Sequence, residues 1–425
     1  MGKEKDKAVV FVMPRLPFPM VSGRKTSLYH YCRIISEELG YRLVVAAFTE
    51  NGDNPNEKPE FIDRLVILEK PSKVEKLCNI LEKSILSSKF PIQVSLYLSK
   101  NAKKQIDLII QEEHPIAMIA DMVRCTEYIR DSEMYKIADL DDRISLRYRR
   151  QLEMDEDSIN PYGAFLSTLP SFLQKVALFK PLKLAVLKRE IKLLTSYELE
   201  IGKVCDNTIF VAKNEADAFN YELKEDKAVS IPIGVDIDYF YPQENINKNN
   251  IICFLGAMSV AHNESAVRHF ITDIFPIITE RIPSAIFLVI GGGANGLKSY
   301  ASENIVFTGK VDDVRKYLKM SKVFVCPMLF GSGIKTKNLE AMAMGLPLVT
   351  TSVGSENIDA MNGKEWFIAD SDNEFANKVV DILHNHNLER KMSINAREFI
   401  VSHFTWDIAK KQFSKLLMKV EEKPI

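Results

Sequence analysis

Short, continuous apolar runs alternate with amphipathic stretches along this chain, and no other property of the sequence limits the fold so strongly. Runs such as Ala8–Met13 and Ile251–Leu255 are rich in Val, Ile and Phe. A half-exposed strand would alternate apolar with polar residues, so uninterrupted runs indicate parallel strands that are covered on both faces. The amphipathic stretches between them predict that helices supply this cover. The sequence therefore predicts an α/β fold built on parallel sheets.

This pattern occurs twice. The predicted strands are Ala8–Met13, Arg42–Phe48, Leu65–Leu68, Ile116–Ala120 and Lys136–Leu140, then Ile251–Leu255, Ile286–Ile290, Ile305–Thr308, Val323–Cys326 and Leu348–Thr350. The predicted helices between them are 25–39, 99–112, 263–280, 311–320 and 335–344. The 425 residues suffice for two doubly wound domains, 1–242 and 251–404, joined by the polar, turn-forming stretch Pro242–Asn250. A helical pattern at 405–425 has one apolar face, and we expect it to pack on the first domain.

Composition excludes several classes of protein. The 56 Lys and Arg residues nearly balance 57 Asp and Glu residues, so the chain lacks the basic field that collects nucleic acid. The six cysteines contain no C-x-x-C pair, which excludes a zinc ribbon and a thioredoxin-type site. No apolar run reaches the roughly 18 residues of a membrane-spanning helix, and the start does not resemble a secretory signal. We expect a cytoplasmic protein.

The stretch 160–192 differs from both halves of the chain. Between Pro161 and Lys192 it has six basic residues and one acid, Glu190. One interpretation is a helical connection that packs on the first domain and is interrupted by Pro170 and Pro181. The other is attachment to an anionic membrane surface, which would make the protein peripheral on the inner face of the cell membrane.

The loop after Val323–Cys326 contains the most informative motif. Gly331, Ser332 and Gly333 precede a predicted helix whose first turn holds Lys335 and Lys337. Glycines let the backbone approach a ligand closely, while free N–H groups and two ammonium groups attract an anion. This combination predicts a cradle for a diphosphate.

One helical turn further on, Glu340 would repel phosphate but could accept hydrogen bonds from ribose hydroxyls. The alternative for the whole motif is a plain turn with solvated lysines and a surface acid, because glycine-rich turns before helices are common in this fold class.

Two further loops carry weaker signals. Gly23 and Arg24 begin the first predicted helix, where the backbone could approach a phosphate or a sugar, although a turn capped by Ser22 explains the same residues. His262 and Asn263 stand where another loop becomes a helix, with Asn263 as a predicted N-cap. His262 could donate to a phosphate or sugar oxygen, or it could be an ordinary surface histidine.

Two other patterns are not interpreted as sites. The glycines at 291–293 and 296 mimic a dinucleotide loop, but no acidic residue ends the next predicted strand, so we do not predict an NAD site. The adjacent carboxylates Asp141–Asp142 and Asp312–Asp313 are interpreted as solvated or capping groups rather than metal ligands. We expect neither a metal nor another cofactor.

The motifs taken together resemble those of a known family. The matching stretches are Gly331–Thr351, Ile231–Pro242, Phe254–Asn263, Phe307–Leu318, Pro91–Ser99, Leu140–Arg150 and the opening PRLPFPMVSG. In order and spacing, along nearly the whole chain, they resemble retaining family-4 glycosyltransferases, above all bacterial transferases of cell-surface polysaccharide such as capsule or lipopolysaccharide. The resemblance implies the GT-B fold, in which two facing Rossmann-like domains of doubly wound parallel sheet hold a nucleotide sugar mainly in the second domain and a C-terminal helix returns to the first.

The resemblance also implies roles for single residues. Glu340 would bind the ribose, while Gly331, Ser332 and Gly333 would line the diphosphate and Lys335 or Lys337 would neutralise it. Gly23 would face the phosphates from the first domain, Val311 would lie near the base, and Asp121 would lie near the transferred sugar. We add Arg24 and Asn263 as donor-binding candidates, and His262 joins Asp121 as a candidate catalytic residue.

The sequence also departs from the family pattern. Ser332 stands where the first glutamate of the usual pair is expected, and the common Arg and Lys of the loop after the second domain's first strand are missing. The prediction is nevertheless a metal-independent, hexosyltransferase-type enzyme that moves a sugar from a nucleotide-diphosphate donor to a lipid-linked or polysaccharide acceptor. The alternative is a non-catalytic GT-B subunit that binds a partner or a glycan.

Overall fold

The computed structural model describes residues 6–20, 22–50, 52–154, 179–242, 250–331 and 333–422. The chain divides into two compact units, Met1–Pro232 with Asp407–Ile425 and Ile233–Trp406. It changes unit before the predicted boundary at 242, because Arg397 of the second unit donates to the carbonyls of Ile237 (3.0 Å) and Phe240 (2.6 Å). Most of the predicted linker, 243–249, lies outside the described residues.

In the described part of the first unit, seven strands form a sheet in the order β3-β2-β1-β4-β5-β6-β7, and all neighbours pair in parallel. The strands are β1 (Ala8–Met13), β2 (Arg42–Ala47), β3 (Arg64–Ile67), β4 (Ala117–Asp121), β5 (Tyr135–Asp141), β6 (Asn207–Phe210) and β7 (Ala228–Ser230). Val9 of β1 lies opposite Leu43 of β2 and Ala117 of β4, so the strand order reverses beside β1. This reversal is the point where doubly wound sheets bind ligands.

The helices of the first unit are α1 (Gly23–Arg33), α2 (Lys73–Asn79), α3 (Ile92–Ser95), α4 (Lys100–Glu113), α5 (Met122–Cys125), α6 (Ile144–Met154), α7 (Lys180–Val204) and α8 (Lys213–Leu223). π-helical turns continue α1 over Ile34–Glu38 and α2 over Ile80–Leu86. Pro181 lies in the first turn of α7, where a proline starts a helix rather than interrupting one. The rest of the predicted basic segment, 160–178, lies outside the described residues.

Six strands form the parallel sheet in the described residues of the second unit, in the order β10-β9-β8-β11-β12-β13. They are β8 (Ile251–Leu255), β9 (Ile286–Ile290), β10 (Ile305–Phe307), β11 (Val323–Cys326), β12 (Leu348–Thr350) and β13 (Phe367–Ile368). The helices are α9 (Ala261–His269), α10 (Phe275–Arg281), α11 (Arg315–Met320), α12 (Thr336–Ala343), α13 (Asp372–His384) and α14 (His386–His403). A π-helical turn, Phe270–Ile274, joins α9 to α10.

The buried strands explain the apolar runs of the sequence. Every residue of β1, β4 and β11 is buried, because helices cover both faces of each sheet. The prediction of two Rossmann-like α/β units is therefore confirmed. No helix among the described residues is both long and apolar enough to span a lipid bilayer.

The last helix, α15 (Trp406–Glu422), returns to the first unit as predicted. Phe413 is fully buried, and its ring meets that of Tyr31 at 4.9 Å between centroids. At the surface, Lys410 pairs with Glu38 (3.3 Å), and Tyr41 donates to Glu421 (3.0 Å). The apolar face of this helix thus completes the core beside α1.

Candidate functional site

The loop after β11 and the start of α12 contain the predicted cradle. Gly331 and Gly333 have φ angles of +128° and +73°, which L side chains rarely adopt, so the loop needs glycine at both positions. Lys335 is the N-cap residue of α12, and Lys337 lies in its first turn. Ser332 lies outside the described residues.

The loop after β8 lies against this cradle. A Cβ atom on Gly331 would lie 3.9 Å from Cγ of His262 and 3.8 Å from Cε of Lys335, so these side chains surround the glycine. Val260, not Asn263, is the N-cap of α9, so the predicted cap is wrong. The Asn263 amide instead donates to the carbonyl of Ala257 (3.0 Å) and accepts from Nζ of Lys337 (2.5 Å).

Both ammonium groups of the cradle are bound to neutral oxygens. Lys335 donates to the carbonyl of Gly333 (2.7 Å), while Lys337 donates to Asn263 and lies 4.3 Å above the centre of the Phe254 ring. Lys335 is only 7% exposed. Burial, together with the charge of Lys337, lowers the pKa of Lys335 to about 8, and burial also lowers the pKa of Lys337. The site therefore contains two poorly compensated cations beside the positive end of a helix, as an anion site requires.

His262 and Glu340, near the two lysines, also have shifted pKa values. Burial and the charges of Lys337 and Lys335 lower the pKa of His262 to about 4, so its imidazole is neutral at pH 7. Burial raises the pKa of Glu340 to about 7, although Lys337 opposes this shift. Shifted groups that converge on one loop-and-helix junction are typical of functional sites.

Val311 lies in the segment between β10 and α11 and packs against the core of the second unit. The glycines that mimic a dinucleotide loop serve close backbone packing. A Cβ on Gly291 would lie 2.0 Å from the carbonyl oxygen of Gly256, and Met258 donates its N–H to Gly292 (2.8 Å).

The first-unit candidates form a second group, at the carboxyl ends of β4 and β5. Gly23 begins α1 behind its cap Ser22, whose hydroxyl accepts from the N–H of Lys25 (3.4 Å). The Arg24 guanidinium contacts three carboxylates: Asp121, Asp139 (2.7 Å) and Asp141 (2.9 Å). Arg24 and Asp121, predicted for different roles, thus form one buried ion pair.

The carboxylates around Arg24 are strongly buried. Asp121 and Asp139 are fully buried, and Oδ2 of Asp121 accepts no hydrogen bond from the residues that the structure describes. Burial raises the pKa of Asp121, against the opposing charge of Arg24, and it raises the pKa of Asp139 to about 7. These groups hold the start of α1 against the ends of two strands.

Arginines also contact the two adjacent carboxylate pairs, which the sequence analysis did not interpret as metal ligands. Asp142 faces Arg147 (3.3 Å), and Asp313 pairs with Arg315 (2.7 Å). Elsewhere in the described residues, His269, Asp273 and Asp372 lie close enough to share an ion. Asp273 and Asp372 contact different ring nitrogens of His269 (3.2 and 2.9 Å), so this group is explained by hydrogen bonds within the chain.

A comparison with protein families finds a match within the second unit. Residues 249–385 match the family model described as glycosyl transferases group 1. The matched residues lie within the second unit. The matched region includes His262, Asn263 and the whole loop-and-helix cradle from Gly331 to Glu340.

Relatives and solved structures extend the comparison beyond that domain. A Klebsiella pneumoniae protein named "Uncharacterized 44.6 kDa protein in cps region" is 23% identical over 228 residues, which are 51% of this chain and 56% of the relative. The chain spans about half the length of the curated relatives that it matches.

Sucrose-phosphate synthase from Thermosynechococcus elongatus aligns with 98% of this chain and 99% of its own, with a TM-score of 0.67 and 13% identity. HepE of Anabaena, solved in complex with UDP, aligns with 97% of this chain and all of its own, with a TM-score of 0.61 and 11% identity. These likenesses show that the chain has the GT-B fold.

Three residues that adjoin the cradle were not predicted from the sequence. Phe254 and Gly256 belong to β8 and its loop, and a Cβ on Gly256 would lie 2.9 Å from Nδ2 of Asn263 and 3.2 Å from Nζ of Lys337. Asn338 is buried and donates to the carbonyl of Gly354 (2.9 Å), which braces α12 against the loop after β12. The glycine after an apolar strand was the one available signal, since close packing at a strand end favours this residue.

Proposed function

We propose that this protein is a glycosyltransferase that transfers a sugar, of the hexose type, from a nucleotide-diphosphate donor to a lipid-linked or polysaccharide acceptor. The observation that carries the proposal is the pair of ammonium groups at the start of α12, on buried Lys335 and half-buried Lys337, which have neutral oxygen partners. Burying such cations costs free energy that an anionic ligand offsets. The group 1 domain match supports a nucleotide sugar as that ligand.

The proposed reaction breaks the bond between the sugar's anomeric carbon and a diphosphate oxygen. A bond from that carbon to the acceptor oxygen forms, and the proton of the acceptor hydroxyl passes to the departing diphosphate oxygen. Charge accumulates on the departing diphosphate, so the two ammonium groups and the N–H groups of α12 would stabilise the transition state electrostatically. We infer that these cations take the place of a metal ion, and that the anomeric configuration is retained.

The other candidates have supporting roles in this proposal. Neutral His262 donates a hydrogen bond to a donor oxygen, and Glu340 accepts from the ribose hydroxyls. By the family resemblance, we assign Gly23 to the phosphates, Val311 to the base and Asp121 to the transferred sugar. Arg24 already contacts three carboxylates, so we assign it to positioning Asp121 rather than to holding the donor.

Two relatives guide the choice of substrates. The Klebsiella protein is named for a cps region, and the HepE structure contains UDP. We therefore propose cell-surface polysaccharide synthesis as the setting, in the cytoplasm, and uridine nucleotides as the first donors to test.

Calorimetric titration with UDP tests the cradle directly. We expect Lys335→Ala and Lys337→Ala each to weaken UDP binding by about tenfold or more, because each removes a charged hydrogen-bond donor. The matched control is Lys391→Ala, which removes an exposed lysine of α14 and should leave binding unchanged. Equal affinity in all variants would contradict the assigned cradle.

Turnover separates the enzyme from the alternative of a non-catalytic subunit. Wild-type protein is incubated with a panel of nucleotide sugars and lipid-linked acceptors, and the release of nucleoside diphosphate is measured beside Glu340→Ala. We expect release by the wild type and a large loss in the variant. Tight UDP binding without release from any donor would favour a binding subunit.

A further inference from the structure

One helix of the first unit presents an uncovered row of apolar side chains. It consists of α2 and its π-helical continuation, residues 73–86. The exposed side chains are Val74 (71%), Leu77 (45%), Leu81 (45%), Ile85 (47%) and Leu86 (79%), and we call them the apolar face. Their spacing places them along one side of the helix. Single exposed leucines are ordinary, whereas a continuous apolar row marks a surface that binds something.

Contacts on the opposite side fix the direction of this face. Ile80 is buried against Ile92 and Leu96. The Ser84 hydroxyl meets that of Ser95 at 2.9 Å, and Asn79 donates to the carbonyl of Leu98 (2.9 Å). The helix is therefore anchored through one side, and the apolar face points away from the unit's core.

Basic residues flank the apolar face. Residues 70–89 contain five lysines (70, 73, 76, 83 and 89) against two acids, Glu75 and Glu82, although the whole chain has a net charge of −1. One acid is occupied, since Glu75 accepts from the N–H of Lys100 (3.1 Å). From the neighbouring helix, Arg189 binds the carbonyl of Ser84 (3.1 Å) and adds to the positive rim.

We propose that the apolar face is a docking surface for an anionic lipid bilayer. A row of apolar residues with flanking lysines is the composition of helices that lie in the membrane interface, where apolar side chains enter the acyl boundary and lysines meet anionic head groups. Val74 and Leu86, at the two ends of the row, are the most exposed of these side chains. Such protruding side chains suit insertion into a bilayer better than the binding of a protein partner. Apart from Arg189, this surface lies outside the stretch 160–192 of the sequence prediction, and it goes beyond the proposed transfer reaction.

Cys78 offers a direct probe of this face. It lies beside Leu77 and is exposed, whereas the other five cysteines are buried. An environment-sensitive fluorophore on Cys78 should shift to the blue with phosphatidylcholine vesicles that contain phosphatidylglycerol, and lipids brominated on the acyl chain should quench it. Pure phosphatidylcholine should give a weaker response, and high salt should reduce the binding.

Two double variants test whether vesicle binding depends on the apolar face. Leu81→Glu with Ile85→Glu should weaken vesicle partitioning by about tenfold or more, since charged side chains replace two inserted ones. The control is Ile394→Glu with Val401→Glu on α14, where exposure is similar (48% and 41%) and partitioning should not change. Both variants should bind UDP like the wild type, so a failure here is distinguishable from failure of the proposed function.

Three results would overturn the proposal. The first is no spectral shift with anionic vesicles at low salt. The second is a shift that grows with protein concentration without vesicles, which would indicate that the face pairs with a second copy of the chain. The third is vesicle binding that survives the apolar-face variant but is lost when the basic residues of 160–188, which leave out Arg189, are replaced.

Discussion

At the level of single residues, the proposed anion site would couple ligand binding to proton uptake through Lys335. Its pKa of about 8 means that the ammonium of the free protein loses its proton as the pH rises through that value. A bound diphosphate favours the charged form and raises this pKa, so binding near pH 8 must take up a proton.

We therefore expect the affinity for UDP to fall above pH about 8 by up to about tenfold per pH unit. Calorimetry in two buffers of different ionisation enthalpy measures the protons taken up. Lys335→Arg keeps its charge at all these pH values and should remove the dependence above pH 8. Net proton release on binding would show that the group has been assigned wrongly.

A site whose residues are close together in sequence could be predicted, but contacts between residues far apart in sequence could not. The stretch from Gly331 to Glu340 was informative because its glycines, lysines and acid lie within three helical turns. Nothing in the sequence indicated that Arg24 meets Asp121 and Asp141, which lie 97 and 117 positions away. Asn263 failed as a predicted cap because its side chain binds Lys337, a contact between two separate helices, α9 and α12.

Among secondary-structure elements, the junction of α1 with β4 and β5 depends on one cation. Replacing Arg24 by methionine would leave Asp121, Asp139 and Asp141 close together without their counter-charge. We expect this change to lower the free energy of unfolding by about 3–5 kcal/mol, the range for breaking a buried ion pair. Urea denaturation measures the loss.

The matched control is Arg33→Met in the last turn of the same helix, where Arg33 is partly exposed and lies 3.7 Å from Glu38. That pair is at the surface and should contribute less than about 1 kcal/mol. Comparable losses in both variants would contradict the special role of Arg24.

A buried acid joins α7 to α3. The Glu190 carboxylate accepts from the N–H groups of Ile92 (2.7 Å) and Gln93 (3.0 Å), and burial raises its pKa to about 7. Because the folded pKa exceeds the unfolded one, the group stabilises the fold at low pH, and this contribution is lost as the pH rises through about 7.

Glu190→Gln resembles the protonated acid. We expect its stability to equal that of the wild type near pH 5 and to exceed it near pH 8 by about 2 kcal/mol. Chemical denaturation at both pH values is the measurement. A variant that is less stable than the wild type at both would show that the second carboxylate oxygen matters more than the charge.

Elements with long apolar runs could be predicted, and short or mixed ones could not. β1, β8 and β11 follow their predicted bounds because both faces of these strands are covered. β6 (NTIF), β7 (AVS) and β13 (FI) were missed, since runs of two to four residues are too short to show a periodicity. The π-helical turns also went unpredicted, because their wider spacing follows from packing rather than composition.

For the molecule as a whole, the first unit is discontinuous in sequence because α15 follows the second unit. Phe413 of α15 is fully buried and contacts Tyr31, whose hydroxyl donates to the carbonyl of Ile231 (3.0 Å). Phe413→Ala should lower the stability of the first unit by about 3–5 kcal/mol, as expected for a buried phenylalanine.

Hydrogen exchange can assign this loss to one unit. We expect faster exchange at the amides of β1 and α1 and unchanged exchange at β8 and β11. The matched control is Met418→Ala, an exposed position of the same helix. Equal acceleration in both units would mean that they unfold together. The doubling of the α/β pattern indicated two units from sequence, and the apolar face of the last helix indicated that it packs on the first. Its specific contact, Phe413 with Tyr31, could not be predicted.

The place of α15 in the chain has a consequence for biosynthesis. A ribosome must complete the whole second unit before it releases the helix that closes the first. While the second unit is being translated, the surface of the first unit around Tyr31 is therefore exposed to water. Chaperones bind exposed apolar groups of nascent chains at this stage.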